Sequence, residues 1–186
     1  MDARGMSGRG RDFKNLSYGD MANYLSKDHA TGVQWLIKQG YVNKDKIGAW
    51  GWSGGGYFTC LMLTKNSDLF GVGVAVAPVT DFRLYDTAYT ERYMGLPQDN
   101  ISGYDSTSTM TYVDRLKGKL MLMHGTYDDN VHAQNTTKFI EACIRADKPI
   151  DVMYYPTRNH GIYGNNATKH VYKKLFEYFR LHLKIG

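Results

Sequence analysis

The segment KIGAWGWSGGGYFTCLMLTK (46–65) decides how this chain is read, because an apolar run ends in glycines around one serine and passes at once into a second apolar run. KIGAWGW (46–52) reads as a short buried strand, and Gly54 to Lys65 as an apolar helix, so Ser53 falls on the turn between them. Gly51-Trp52-Ser53-Gly54-Gly55 is then a G-x-S-x-G in the strand-turn-helix setting that the pattern needs. Glycines on both sides let strand and helix approach closely. The tight turn exposes the serine hydroxyl and aims the Gly54 N–H at the place where an oxyanion would form. A Gly-rich phosphate-binding turn is the competing reading, since Gly48, Gly51 and Gly54 to Gly56 also follow a strand and open a helix. It lacks the Lys-Ser/Thr ending of a P-loop, and the next strand does not close on an acidic residue as a dinucleotide site would prefer.

Outward from this segment the pattern alternates. A helix is expected between about 28 and 39 on the spacing of Ala30, Val33, Leu36 and Ile37, with Gly40 as its stop. GVGVAVAP (71–78) suits a strand buried on both faces, and residues 80–115, rich in Tyr, Asp and Ser, read as irregular. KLMLMHG (119–125) and IDVMYYP (150–156) supply two more strands. Phe139, Ile140, Cys143 and Ile144 mark a helix between them, and Val171, Leu175 and Phe179 mark a closing one. Helices alternating with buried strands imply an α/β fold, a mostly parallel sheet with helices on both faces.

A serine hydroxyl needs a base, and the base needs a third group to fix its tautomer. In the order serine, acid, histidine, the acid slot falls in HGTYDDN (124–130) and the histidine slot in TRNHG (157–161), giving Asp128 and His160. Asp129 is the alternative acid, but Asp129-Asn130 reads as the opening of the next helix, where an aspartate serves as a cap. His132 is the rival base; His29, His124, His170 and His182 fall in or at the ends of regular elements and read as packing or capping residues. His124, Asp128, Asp129 and His132 could be assembled into a metal site only without recognised ligand spacing, so neither a metal nor another cofactor is expected.

Composition narrows the partners. In 186 residues, 42% apolar and 22% charged, the net charge of +5 comes from Lys and Arg scattered singly, which disfavours a nucleic-acid role. No run reaches the roughly 20 apolar residues of a membrane helix, no signal peptide is visible after Met1, and the compartment is not specified. Cys60 and Cys143 sit among apolar residues and read as buried hydrophobes rather than a disulfide.

Taken together, GWSGGGY (51–57), APVTDFRLYDTAYTERYMGLP (77–97), HGTYDDNVH (124–132) and NHGI (159–162) resemble the prolyl oligopeptidase family, in its dipeptidyl peptidase IV branch. The resemblance implies an α/β-hydrolase catalytic domain over residues 1–186 and release of amino-terminal dipeptides with proline or alanine in the penultimate position. It implies that Tyr89, Tyr93, Val79, Phe82 and Val131 line the pocket for that penultimate side chain, and that Asn130 binds the substrate's backbone carbonyl. A flat proline ring suits an aromatic-walled pocket near Ser53. The branch usually carries an aromatic residue directly after the serine; Gly54 stands there in this chain and widens one wall. Asp2-Ala-Arg-Gly resembles the end of an internal strand of that domain, so the first strands, the family's β-propeller and a tyrosine of the oxyanion hole are expected to precede this sequence. The KIGAWGW strand would then expose an apolar edge open to self-association. A carboxylesterase or acylaminoacyl peptidase with the same triad, and a non-catalytic module retaining the fold, are the other functions compatible with these residues.

Overall fold

Four parallel strands lie side by side in sequential order: β1 (Gly48–Trp52), β2 (Val72–Val76), β3 (Lys119–Gly125) and β4 (Asp151–Tyr155). This computed structural model describes residues 1–185. The helices are α1 (Arg11–Asn15), α2 (Asn23–Lys38), α3 (Gly54–Lys65), α4 (Thr87–Met94), α5 (Ile101–Thr107), α6 (Gln134–Arg145) and α7 (Ala167–Leu183). Because each crossover steps to the next strand in the same direction, right-handed connections put α3 and α6 on one face. The chain returns through α7 to cover the other.

Strand alternation divides the core accordingly. Ala75, Leu120 and Leu122 pack with Leu61, Leu63, Phe139 and Cys143 on the α3/α6 side. Val72, Val74, Val76, Met121 and Met123 pack with Val171, Leu175 and Tyr178 on the α7 side. The closing helix therefore buries 171, 175 and 178, and Phe179 is only partly covered. Both cysteines are buried and unpaired, and burial raises both thiols, Cys143 to about 12. No helix among the described residues is long and apolar enough to cross a membrane.

Several expectations need correction. β1, read as a short buried strand, lies at the edge of the described sheet, bonded to β2, with Trp50 51% exposed and leaning edge-on against Tyr172 of α7, which is the open apolar edge also expected of KIGAWGW. α2 begins at Asn23 instead of near 28, because Asp20 Oδ1 accepts from the N–H groups of Ala22 and Asn23 (3.0 and 2.9 Å) and the small residues Ala22 and Ser26 are the ones buried. Asp2 to Gly5 form no strand: Arg4 folds over α2, its N–H and guanidinium both held by Asp28. Residues 80–115 are mostly helical, in α4, α5 and the 3-10 segments Phe82–Leu84 and Thr109–Arg115. The Asp and Asn residues that suggested a loop are their caps: Asp81 accepts from Arg83 N, Asp86 from Tyr89 N and Asn100 from Gly103 N. A short polar side chain at a cap and one in a loop give the same composition.

The join of β1 to α3 is tight enough to test. A Cβ on Gly51 would run into the backbone of Gly55, whereas one on Gly54 would meet nothing within 4 Å. Gly51→Ala should therefore destabilise by about 3 kcal/mol, the upper end of the overpacking range, since backbone cannot yield as a side chain can. Gly54→Ala, at a helical position with room for the methyl, should be neutral or stabilise by about 0.4–1 kcal/mol. Urea unfolding of the two variants measures the contrast, and equal midpoints would contradict it.

Candidate active site

Parallel strands that start in register end in register, so the loops following β1, β3 and β4 gather at one edge of the sheet. Ladder bonds extend just past the strands, from Ser53 N to Val76 O, Ala77 N to Met123 O and Thr126 N to Tyr155 O. Ser53 then turns sharply, with φ 58° and ψ −117°, a backbone conformation that a non-glycine residue occupies only when its surroundings hold it there. Its carbonyl accepts from Tyr57 N in the first turn of α3. The N–H of Gly54, first residue of that helix, has no intrahelical acceptor and opens beside the serine.

Asp128 lies in the loop after β3 and is 4% exposed. Its Oδ1 accepts from the backbone N–H groups of Asn130 (3.0 Å) and Val131 (2.9 Å), and its Oδ2 faces His160 Nδ1 at 2.7 Å. Burial alone would raise this carboxyl, but hydrogen bonds from His124, His160 and the Asn130 N–H outweigh it and hold the group well below the usual carboxylate range. With the carboxylate ionised, His160 Nδ1 carries its proton toward Asp128. In the neutral ring Nε2 is then the acceptor.

Asp129 is exposed and caps nothing; α6 starts five residues later at Gln134, with Ala133 at its N-cap position. The capping role expected of Asp129 belongs to Asp128, which closes its own turn.

The histidine loop is fastened to its neighbours at three points. Trp52 Nε1 donates to the His160 carbonyl at 2.8 Å, one residue before the serine. Tyr127 N donates to Arg158 O, and Thr157 N to Thr126 Oγ1. Gly125 permits this, because any side chain there would collide with the carbonyls of Arg158 and Asn159. No hydrogen bond reaches Ser53 Oγ among the described residues, so the Trp52 bond is the direct link between the serine's strand and the histidine.

Ser53 and Gly54 open into a cavity of about 430 Å³ whose wall also contains Val79, Phe82, Tyr89 and Tyr93. Tyr85 joins them, stacked edge-on against Tyr89, which packs in turn against Tyr93. Burial raises the Tyr85 and Tyr89 hydroxyls, which keeps this wall uncharged. Val131, expected in the pocket, and Asn130, expected to bind the substrate's backbone carbonyl, are not among the residues lining the cavity. Val131 is fully buried and its side chain is not on the cavity wall; its backbone serves Asp128 instead. Asn130 is exposed outside the wall, where its Oδ1 accepts from the Tyr85 hydroxyl at 2.9 Å. Tyr85 was legible in principle, since it precedes Tyr89 by four residues as Tyr89 precedes Tyr93, although it stands in extended backbone just before α4. Gly5, Ser7, Lys14 and Ser17 also line the cavity and carry no sequence pattern that would have placed them there. His132 makes no side-chain hydrogen bond to Asp128 or Ser53 among the described residues, and no group of three or more His, Cys, Asp or Glu there is arranged to hold a metal ion.

A solved Porphyromonas gingivalis dipeptidyl peptidase 4 superposes with a TM-score of 0.94 at 39% identity, covering 97% of this chain and 26% of that one. The Sordaria macrospora protein named "Probable dipeptidyl-aminopeptidase B" is 39% identical over 178 residues, which are 94% of this chain and 19% of that protein. Mouse "Prolyl endopeptidase FAP" is 34% identical over 183 residues, 97% of this chain and 24% of that protein. The chain thus spans about a fifth to a quarter of the length of these proteins. With the family model described as "Prolyl oligopeptidase family" matching residues 1–186 from end to end, the chain belongs to the prolyl oligopeptidase family of serine peptidases and carries its dipeptidyl peptidase-like α/β-hydrolase fold.

Proposed function

We propose that this chain forms the serine-bearing part of a peptidase that releases amino-terminal dipeptides, with proline or alanine preferred in the penultimate position. The observation that carries the reading is the 2.7 Å bond from His160 Nδ1 to a buried, ionised Asp128, in a loop tied to the strand that ends at Ser53. His160 Nε2 takes the Ser53 hydroxyl proton as Oγ bonds to the scissile carbonyl carbon, whose oxygen becomes an oxyanion facing the Gly54 N–H. Asp128 stabilises the imidazolium and keeps its own proton count unchanged. When the C–N bond breaks, the same proton passes to the leaving amine and an acyl-Ser53 ester remains. Water then loses a proton to His160, attacks the ester and restores the serine.

The apolar wall of Val79, Phe82, Tyr85, Tyr89 and Tyr93 suits a proline ring or a methyl side chain, neither of which brings a polar group that needs a partner. Open space at Gly54 leaves that pocket wider on the serine side. The name of the mouse relative favours a second reading, cleavage within a peptide after proline, which the same wall accommodates.

In the intact protein, Gly-Pro-anilide should be hydrolysed well and its N-acylated counterpart poorly; the reverse order would favour the endopeptidase reading. Activity confined to short acyl esters would favour an esterase, and failure of a fluorophosphonate to label Ser53 would favour a non-catalytic module. Ser53→Ala should lower kcat by about 10⁴- to 10⁶-fold. Retention of most of the activity removes the proposal.

The acid is tested separately. Asp128→Asn should cost about 10⁴-fold in kcat by letting the imidazole adopt the wrong tautomer, while Asp129→Asn should cost little. Reversal of these two effects would move the acid by one residue.

A further inference from the structure

We infer that His124 is a positioning residue for catalysis, acting on His160 through the carboxylate they share. The inference rests on the triad reading above and extends it to a group on the far side of the acid.

His124 is the penultimate residue of β3 and is completely buried. Its Nε2 faces two acceptors, Asp128 Oδ2 at 3.1 Å and the Val131 carbonyl at 2.8 Å. Neither can donate, so the proton must reside on Nε2. Nδ1 lies 2.7 Å from Thr136 Oγ1, a hydroxyl able to donate to it, so both ring nitrogens have partners. Asp128 Oδ2 therefore receives donors from two histidines: the partly exposed His160 and, from the interior, the fully buried His124. The two backbone donors on Oδ1 fix one end of the carboxylate and the two histidines fix the other.

The consequence is directional. A carboxylate held only at Oδ1 can tilt, and a tilt at Asp128 is transmitted to the ring plane of His160 and so to the direction of its Nε2. Catalysis is sensitive to misplacement of that size, whereas binding of a dipeptide in the aromatic pocket is not. The Val131 carbonyl adds a second constraint, because His124 clamps the same turn whose N–H groups hold Oδ1. A histidine of merely structural value would fill this space without requiring its donor at Nε2.

The experiment uses the intact protein and Gly-Pro-anilide, with kcat and KM measured separately. His124→Leu should lower kcat about 10- to 100-fold, the usual cost of removing a hydrogen bond behind a reacting group, with KM within about twofold. His124→Gln places an amide N–H where Nε2 lies and should recover kcat to within about fivefold of the wild type. His124→Asn carries the same amide at the Nδ1 position, facing Thr136, and should remain as impaired as leucine. Thr136→Val leaves the Nε2 donor in place and should stay close to wild type. If the leucine variant does not fold, the glutamine and asparagine pair decides the matter, and melting temperatures of that pair show that both are folded. Equal kcat in those two amides, or loss that appears in KM alone, overturns the inference. Inactive Ser53→Ala together with unchanged His124→Leu overturns it while leaving the triad reading intact; active Ser53→Ala removes both.

Discussion

A buried carboxylate must be given donors in proportion to what water would have supplied, and at Asp128 four groups answer that requirement. They come from different parts of the chain: His124 at the end of β3, the backbone of the turn before α6, and His160 in the loop beyond β4. The charge is therefore the point where the end of β3, the turn that follows it and the loop beyond β4 are fixed to one another. A single ion pair at the surface would have been worth little; here the ion is enclosed and every lone-pair direction has a partner. The opposing effects of burial and hydrogen bonding both act on the same group, and hydrogen bonding prevails.

The serine side is organised by sterics instead of charge. Ser53 holds a left-handed backbone because β1 must end and α3 begin within one residue, and Gly51 has no side chain to hold Gly55 away. Local strain is tolerated because it is enclosed by regular structure, with β2 bonding the serine N–H and the helix bonding its carbonyl. Gly125 performs a comparable service on the acid side, admitting the histidine loop against β3. Two glycines on separate strands thus set how closely the Ser53 and His160 loops can approach the same sheet edge. Trp52 joins the two halves, since the residue that packs on the α7 side also donates to the His160 carbonyl.

Sequence by itself determined the alternation of strands and helices, the turn that carries Ser53, and the order of serine, acid and histidine along the chain. Those features are local: a period of two or 3.6 residues, a run of glycines and the spacing of polar residues between apolar runs are all properties of neighbours. Hence α3 and β3 lie at their expected bounds, and Asp128 and His160 meet at hydrogen-bonding distance. Where one local signal has two structural meanings, sequence was a poor guide. Asp81, Asp86 and Asn100 look like loop residues but cap helices, and Asp129 looks like a cap but is free in solvent. Only the tertiary structure decided which residues stand around the site. His124 reaches Asp128 because two successive turns of chain fold back on β3; Val131 turns inward while Tyr85 turns to the cavity; and residues 5–17 arrive from far along the chain to form a wall. No periodicity encodes such meetings, since they depend on how layers stack and on which buried polar groups must find partners once water is excluded.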